Sequence, residues 1–210
     1  MAQDSYTLYG SFLSAPTYKV ALMLGLCDIK FAYRHIDLAK GQHRSPEYLA
    51  INRYGQVPAL AHDGRNLCQS DAILSYLAET TGKFGGAPAE RWTIQEWLHW
   101  EVDRLYPGMS RTRFYTKFLK PEPPVLDTYR KMAETALDDL NRFLGGKQWL
   151  VGSGPTIADI ACYAMVQQAH DGQLDLSARR DITAWCKRIE ALPGYMPWAQ
   201  AMPKMDRDAA

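Results

Sequence analysis

Cysteine is scarce and scattered: four residues in a chain of 210, Cys27, Cys68, Cys162 and Cys186, lie far apart. No Cys-x-x-Cys pair is present, and no cysteine lies near a histidine at metal-ligand spacing. The sequence patterns of structural zinc and of a protein dithiol are therefore excluded, and no metal is expected. No apolar run approaches the roughly 18 residues that suggest a membrane span. Blocks of like charge are missing too, and the formal net charge is only +1. Neither a nucleic acid nor a membrane is an expected partner. Met1-Ala2-Gln3-Asp4-Ser5 lacks the basic start and apolar stretch of a signal peptide, so the expected location is the cytoplasm, where scattered thiols stay reduced. There is no internal repeat and no low-complexity tract.

What is present is an ordinary globular composition, 47% hydrophobic, organised in two halves. Tyr6 to Tyr9 is β-prone. Val20, Met23, Leu24 and Cys27 follow at helical spacing, and Phe31, Tyr33 and His35 alternate as a second strand. A β-α-β start of this kind predicts two parallel strands with a crossover helix. Asp37 to Arg44 is a polar loop, and Ser45-Pro46 opens a short helix ending near Asn52. Val57-Pro58-Ala59-Leu60 predicts a strand, and Asp63-Gly64 turns it into Asn66-Leu67-Cys68. Ser70 is expected to cap the next helix, through Ile73, Tyr76 and Leu77. The half reads βαβαββα, a four-stranded mixed sheet with helices, over residues 1–81.

Residues 82–89, Gly- and Pro-rich, form the expected linker, and strand signals vanish beyond it. An all-α domain over 90–210 is predicted. It should hold one long helix from Arg91 to about Leu119, another from Pro123-Pro124 to Gly145-Gly146, and a last from about Asp181 to Ala191. Thr156 and Asp159 stand as a capping box before an apolar run, the hydroxyl and the carboxylate each taking an orphan amide.

Three segments of the first half should converge where strands end and helices begin. They are Gly10–Pro16 with Ser11 and Ser14, Gly55-Gln56-Val57-Pro58, and Gln69-Ser70-Asp71. A cis Val57–Pro58 bond would turn the Val57 amide and carbonyl toward a peptide ligand, whereas a trans proline would simply start an edge strand. Ser70 reads as a carboxylate site at a positive helix end or as a plain cap. Lys40, His43 and Arg44 read as a second carboxylate site or as a solvated loop.

Taken together these segments resemble the soluble glutathione transferases over nearly the whole chain. The resemblance rests on Leu8-Tyr9-Gly10 through Ser14-Ala15-Pro16-Thr17-Tyr18-Lys19-Val20 and on Lys40-Gly41-Gln42-His43. It continues in Asn52-x-x-Gly55-Gln56-Val57-Pro58-Ala59-Leu60, Gln69-Ser70-Asp71-Ala72-Ile73-Leu74 and Pro155-Thr156-Ile157-Ala158-Asp159. It is most similar to theta-like and other bacterial serine-type members. The resemblance implies a thioredoxin-like N-terminal domain, an all-α C-terminal domain and a homodimer. It implies that Val57 holds the cysteinyl backbone of glutathione, that Gln69 and Ser70 hold its γ-glutamyl end, and that His43 and Gln56 lie near its glycine carboxylate. Asp103, in Trp97-x-x-Trp100-x-x-Asp103, resembles an acid that reaches the neighbouring subunit's ligand in some relatives. Two positions depart from the family: Arg53 stands where proline is common after the asparagine, and Gln56 where some theta-like members carry lysine.

A free thiol ionises near pH 8.5, roughly speaking, so the family's chemistry needs a donor that favours the thiolate. Ser14 is the first candidate, with Ser11 and then Tyr9 behind it. No cysteine lies in this turn, although Thr17 is near. The expected reaction is conjugation of glutathione to a small apolar electrophile. Tyr106, Ser110 and Arg113, on one face of the long helix, are expected to line its site between the domains. A glutathione-dependent peroxidase or disulfide reductase, or a non-catalytic interaction module, are the alternatives.

Overall fold

Ser14 starts the first helix: its side chain accepts a hydrogen bond from the Thr17 amide, and Pro16 follows in the first turn. The computed structural model describes residues 5–120 and 123–209, so the start of the chain, read above for a leader, lies outside them. Contacts divide the chain into two units. One comprises the residues up to Lys83 together with those from Leu192 onward; the other is Phe84–Ala191.

In the first unit, β1 (Tyr6–Gly10), α1 (Ala15–Leu26), β2 (Phe31–His35), α2 (Pro46–Ile51), β3 (Ala59–His62), β4 (Arg65–Cys68) and α3 (Ser70–Thr81) give the thioredoxin-like βαβαββα order. The strands stand β2-β1-β3-β4. β1 runs parallel to β2 and antiparallel to β3, and β4 returns antiparallel. Register sets Leu8 beside Tyr33 and Leu60, all three fully buried on one face. The Asp63-Gly64 turn has positive φ at both residues (49° and 68°), which suits a two-residue hairpin loop.

The sequence pattern placed residues 192–210 in the helical half, but they pack on the first unit instead. Gly194, at φ 82°, makes the return: a Cβ there would lie 2.3 Å from the Gly25 carbonyl oxygen. A short helix, α9 (Trp198–Ala201), follows, and Arg207 exchanges two backbone hydrogen bonds with Tyr33 on the edge strand β2. No local signal foretells that return, because it depends on long-range contacts.

The second unit is helical: α4 (Arg91–Trp100), α5 (Tyr106–Phe118), α6 (Leu126–Leu144), α7 (Ile157–Val166) and α8 (Arg180–Glu190). The long helix predicted over 91–119 is interrupted by a π-helical turn, Glu101–Leu105, which apolar periodicity does not reveal. α7 is buried along its whole length, α4 and α5 pack on it, and α6 packs on α5 and α8. Among the described residues no helix is long and apolar enough to cross a membrane.

The capping box at α7 is larger than the sequence suggests. Asp159, fully buried, accepts from the Thr156 amide (2.9 Å), the Thr156 hydroxyl (3.2 Å), the Leu150 amide (3.0 Å) and Trp185 Nε1 (2.9 Å). One carboxylate thus ties α7 to the preceding loop and to α8. Asp159→Ala would leave several donors buried without acceptors, at about 1–3 kcal/mol each. A loss of at least about 3 kcal/mol is expected, read as a fall in the denaturant midpoint by far-UV circular dichroism.

Candidate functional site

Four loops leave the sheet at the same end. Gly10 pairs with His35 at the ends of β1 and β2, Tyr9 pairs with Ala59 at the start of β3, and Ala59 pairs with Cys68 at the end of β4. Those loops carry Ser14, His43, Gln56 with Val57, and Gln69 with Ser70, respectively.

Ser14 caps α1 with Oγ 3.2 Å from the Thr17 amide, while its own amide donates to the Ser11 carbonyl at 2.9 Å. A hydroxyl that accepts one hydrogen bond still has its proton to donate. Capping and donation to a ligand are therefore compatible, and the half-buried Ser14 sits at the positive end of α1. Ser11 is only 1% exposed, and the Tyr9 ring packs against Tyr48.

The Val57–Pro58 peptide bond is cis. Asn52, buried, donates from Nδ2 to the carbonyls of Gln56 (2.6 Å) and Pro58 (3.2 Å), and the Tyr48 hydroxyl also donates to Gln56 (2.7 Å). The carbonyls on either side of Val57 are thus held from within. Among the described residues, neither the amide nor the carbonyl of half-buried Val57 is hydrogen-bonded. That is the edge an extended ligand can pair with.

Ser70, expected as the cap of α3, is its first helical residue; Gln69 takes the cap position at φ 69°. The Ser70 hydroxyl lies 3.4 Å from Asp71 Oδ1, and Gln69 Nε2 reaches Gln56 Oε1 at 3.4 Å. Asp71 also receives Lys19 Nζ at 2.9 Å, with side-chain exposures of 2% for Lys19 and 17% for Asp71. This ion pair ties α1 to α3 directly behind the loops. Lysine is usually a surface residue, so composition gives no hint of it. In the loop after β2, His43 lies on a 3-10 turn (Gln42–Arg44), its buried Nδ1 unpartnered among the described residues, and Lys40 pairs with Asp37. No group of three His, Cys, Asp or Glu side chains suited to a metal gathers among the described residues.

In the second unit, Tyr106 and Ser110 are half-buried on α5. Arg113 follows one turn later, and its Nε lies 2.9 Å from Asp171 Oδ2, while Lys117 Nζ lies 2.7 Å from the other oxygen. Burial pushes the Asp171 carboxyl up, but Lys117 and Arg113 outweigh it and hold the group below the usual range. Asp103 is exposed and pairs with Arg104 at 2.8 Å. The sequence pattern did not single out Asn52 for the loop it holds, nor the Lys19–Asp71 pair, nor Trp198, which donates to the Phe12 carbonyl at 2.8 Å.

Comparison with known proteins gives a consistent picture. The family model of the glutathione S-transferase N-terminal domain matches residues 4–79, and that of the C-terminal domain matches residues 123–201. The disulfide-bond oxidoreductase YfcG of Escherichia coli (strain K12) is 31% identical over 191 residues, 85% of this chain and 89% of that protein. A glutathione S-transferase structure from Pseudomonas fluorescens superposes with a TM-score of 0.86 at 30% identity, covering 92% of this chain and 98% of that one. The glutathione transferase URE2P8 of Phanerochaete chrysosporium, solved with oxidized glutathione, has a TM-score of 0.84 at 24% identity, covering 91% and 92%; that likeness is one of fold.

The Asp171 cluster makes a pH prediction. A carboxyl held low in the folded state stabilises above its unfolded pKa, and the benefit is lost as pH falls through the folded value. Asp171→Asn should therefore be less stable than the parent by about 1–2 kcal/mol at pH 7, with the gap closing as pH falls through and below the ordinary carboxylate range. Denaturant midpoints measured across that range check it.

Proposed function

This chain belongs to the glutathione S-transferase family, and from that premise we propose that it binds glutathione at the sheet end and joins the glutathione thiolate to small apolar electrophiles. The observation that carries the proposal is the Ser14 hydroxyl, which caps α1 through its oxygen and keeps its proton for a ligand sulfur. Ser14 is preferred to Ser11, whose side chain is buried.

Strand spacing supports the fit. Three steps of about 4.8 Å carry the site from β2 to β4, roughly 14 Å, while an extended tripeptide spans about 10 Å. Val57 pairs with the cysteinyl backbone through its unbonded amide and carbonyl. Gln69 and Ser70 receive the γ-glutamyl carboxylate at the α3 N-terminus, and His43 with Gln56 meets the glycine carboxylate. Gln56, being neutral, grips that carboxylate less than a cation would, which places more weight on His43. Tyr106 and Ser110 are the α5 groups that contact the electrophile. Arg113, engaged with Asp171, fixes α5 to the turn at 169–172 instead.

The hydroxyl of Ser14 and the positive end of α1 lower the thiol pKa by favouring the charged form. Bound glutathione then supplies a sulfur nucleophile: on an electrophilic carbon it forms an S–C bond and expels the leaving group, and on a mixed disulfide it forms an S–S bond and expels a thiolate. The likeness to YfcG favours disulfide exchange as the second reading. The family also suggests a cytoplasmic location and a homodimer, and sedimentation of the purified chain tests the dimer.

Thiolate absorbance in the ultraviolet, titrated against pH with glutathione bound, should show ionisation well below the free value of about 8.5. Ser14→Ala should lose most of that shift and slow turnover about tenfold to a hundredfold. Absence of glutathione binding sinks the enzyme reading. Turnover of a mixed disulfide but not of 1-chloro-2,4-dinitrobenzene or a peroxide moves the label to oxidoreductase.

A further inference from the structure

The returning C-terminal segment touches the loop that carries Ser14, and it does so from two firm anchors. At the end of α1, the Gly25 and Gly194 backbones are in contact, and the Tyr18 hydroxyl donates to the Met196 carbonyl at 2.8 Å. The Trp198 ring then packs on Tyr18 with centroids 4.8 Å apart. On β2, Arg207 bonds Tyr33 at 2.7 and 2.9 Å, Asp206 accepts from the His35 amide at 2.8 Å, and Asp208 pairs with Arg34 at 2.8 Å. Between these anchors the segment makes two contacts to one residue. Trp198 Nε1 donates to the Phe12 carbonyl at 2.8 Å, and Lys204 Nζ lies 5.3 Å from the Phe12 ring centroid.

Phe12 is two residues before Ser14, inside the turn that the Ser14 amide closes on the Ser11 carbonyl. We propose that the C-terminal segment is a clamp on this loop and that Trp198 is a positioning residue, setting the Ser14 hydroxyl through the Phe12 carbonyl. The proposal rests on Ser14 as the thiolate's donor. An indole N–H on a packed ring is a stiff donor, so it fixes the loop carbonyl in a way that exchanging water does not. Donors that stabilise a developing or resident charge work only when already in place, and small misplacements of such groups weaken catalysis strongly.

The test is the thiolate titration with glutathione bound, run on the parent, Trp198→Phe and Ser14→Ala. Trp198→Phe keeps a ring on Tyr18 and removes the N–H. The charged or titratable groups near the loop from this segment and from β2, namely Lys204, Asp206 and His35, are unchanged, so a shift reads geometry. The expected result is a bound thiol about threefold to tenfold less ionised at a pH below its midpoint, with glutathione affinity changed by no more than about threefold. If Trp198→Phe does not hold its fold, Tyr18→Phe loosens the same clamp at its anchor. It should shift ionisation in the same direction by about twofold. An unchanged thiolate curve in the folded variant, or a loss of affinity alone, overturns the clamp. If Ser14→Ala loses the shift while the clamp variant keeps it, the functional reading stands without the clamp. If the parent shows no shift, both fall.

Discussion

The strand register is the constraint on which the rest depends. One row across the sheet, Arg34, Tyr9, Ala59 and Cys68, decides which loops meet. Because side chains alternate along a strand, a slip of one residue in β3 would turn Leu60 to the opposite face, away from Leu8 and Tyr33. The buried trio of Leu8, Tyr33 and Leu60 therefore fixes register by hydrophobic burial, and the site inherits its alignment from the core. No polar residue of the site has to pull the strands into place. This separates stability from chemistry, so loops can vary around a settled frame.

Within that frame, several groups are asked to do two things. Ser14 Oγ accepts one of the amides that start α1, and its hydroxyl proton remains to be donated. Asn52 is buried to hold two carbonyls, and by doing so leaves the Val57 edge open between them. Lys19 and Asp71 join α1 to α3 so that the two helix N-termini bearing Ser14 and Ser70 keep a fixed spacing. A buried ion pair is a poor source of net stability, since desolvation opposes the attraction. Its value here is geometric.

Much of this was readable from the sequence, and the exceptions share a cause. The βαβ start, the Asp63-Gly64 hairpin and the Thr156–Asp159 box are local patterns whose physics is complete within a few residues, and each appears in the structure. The π turn at Glu101–Leu105, the pairing of Arg113 with Asp171 across 58 residues, and the return of the chain beyond Leu192 depend on tertiary partners. Ser70 illustrates the boundary. Its residue type predicts a cap, yet Gln69 with positive φ takes that position and Ser70 begins the helix. A side chain's local propensity loses when the backbone must turn at a particular place.

The chain's own thiols bear on which sulfur reacts. Burial pushes the thiols of Cys27 and Cys68 up, and that of Cys186 up to about 12; Cys162 is fully buried. A raised thiol is mostly protonated at neutral pH and a weak nucleophile. The site loops, by contrast, bring a hydroxyl, two helix N-termini and an open backbone edge to the sheet end, where the one neighbouring thiol, Cys68 at the end of β4, is raised by burial and turned to the Ile51 carbonyl. Under the proposed function the reacting sulfur is therefore the ligand's: the chain's own raised thiols stay protonated, while a hydroxyl and a helix N-terminus at the sheet end favour a thiolate. Conjugation and disulfide exchange, the two readings proposed, would both start from such a thiolate. What distinguishes them is the second substrate, so the donor geometry at Ser14 supports the sulfur's activation and leaves the choice of acceptor to other residues.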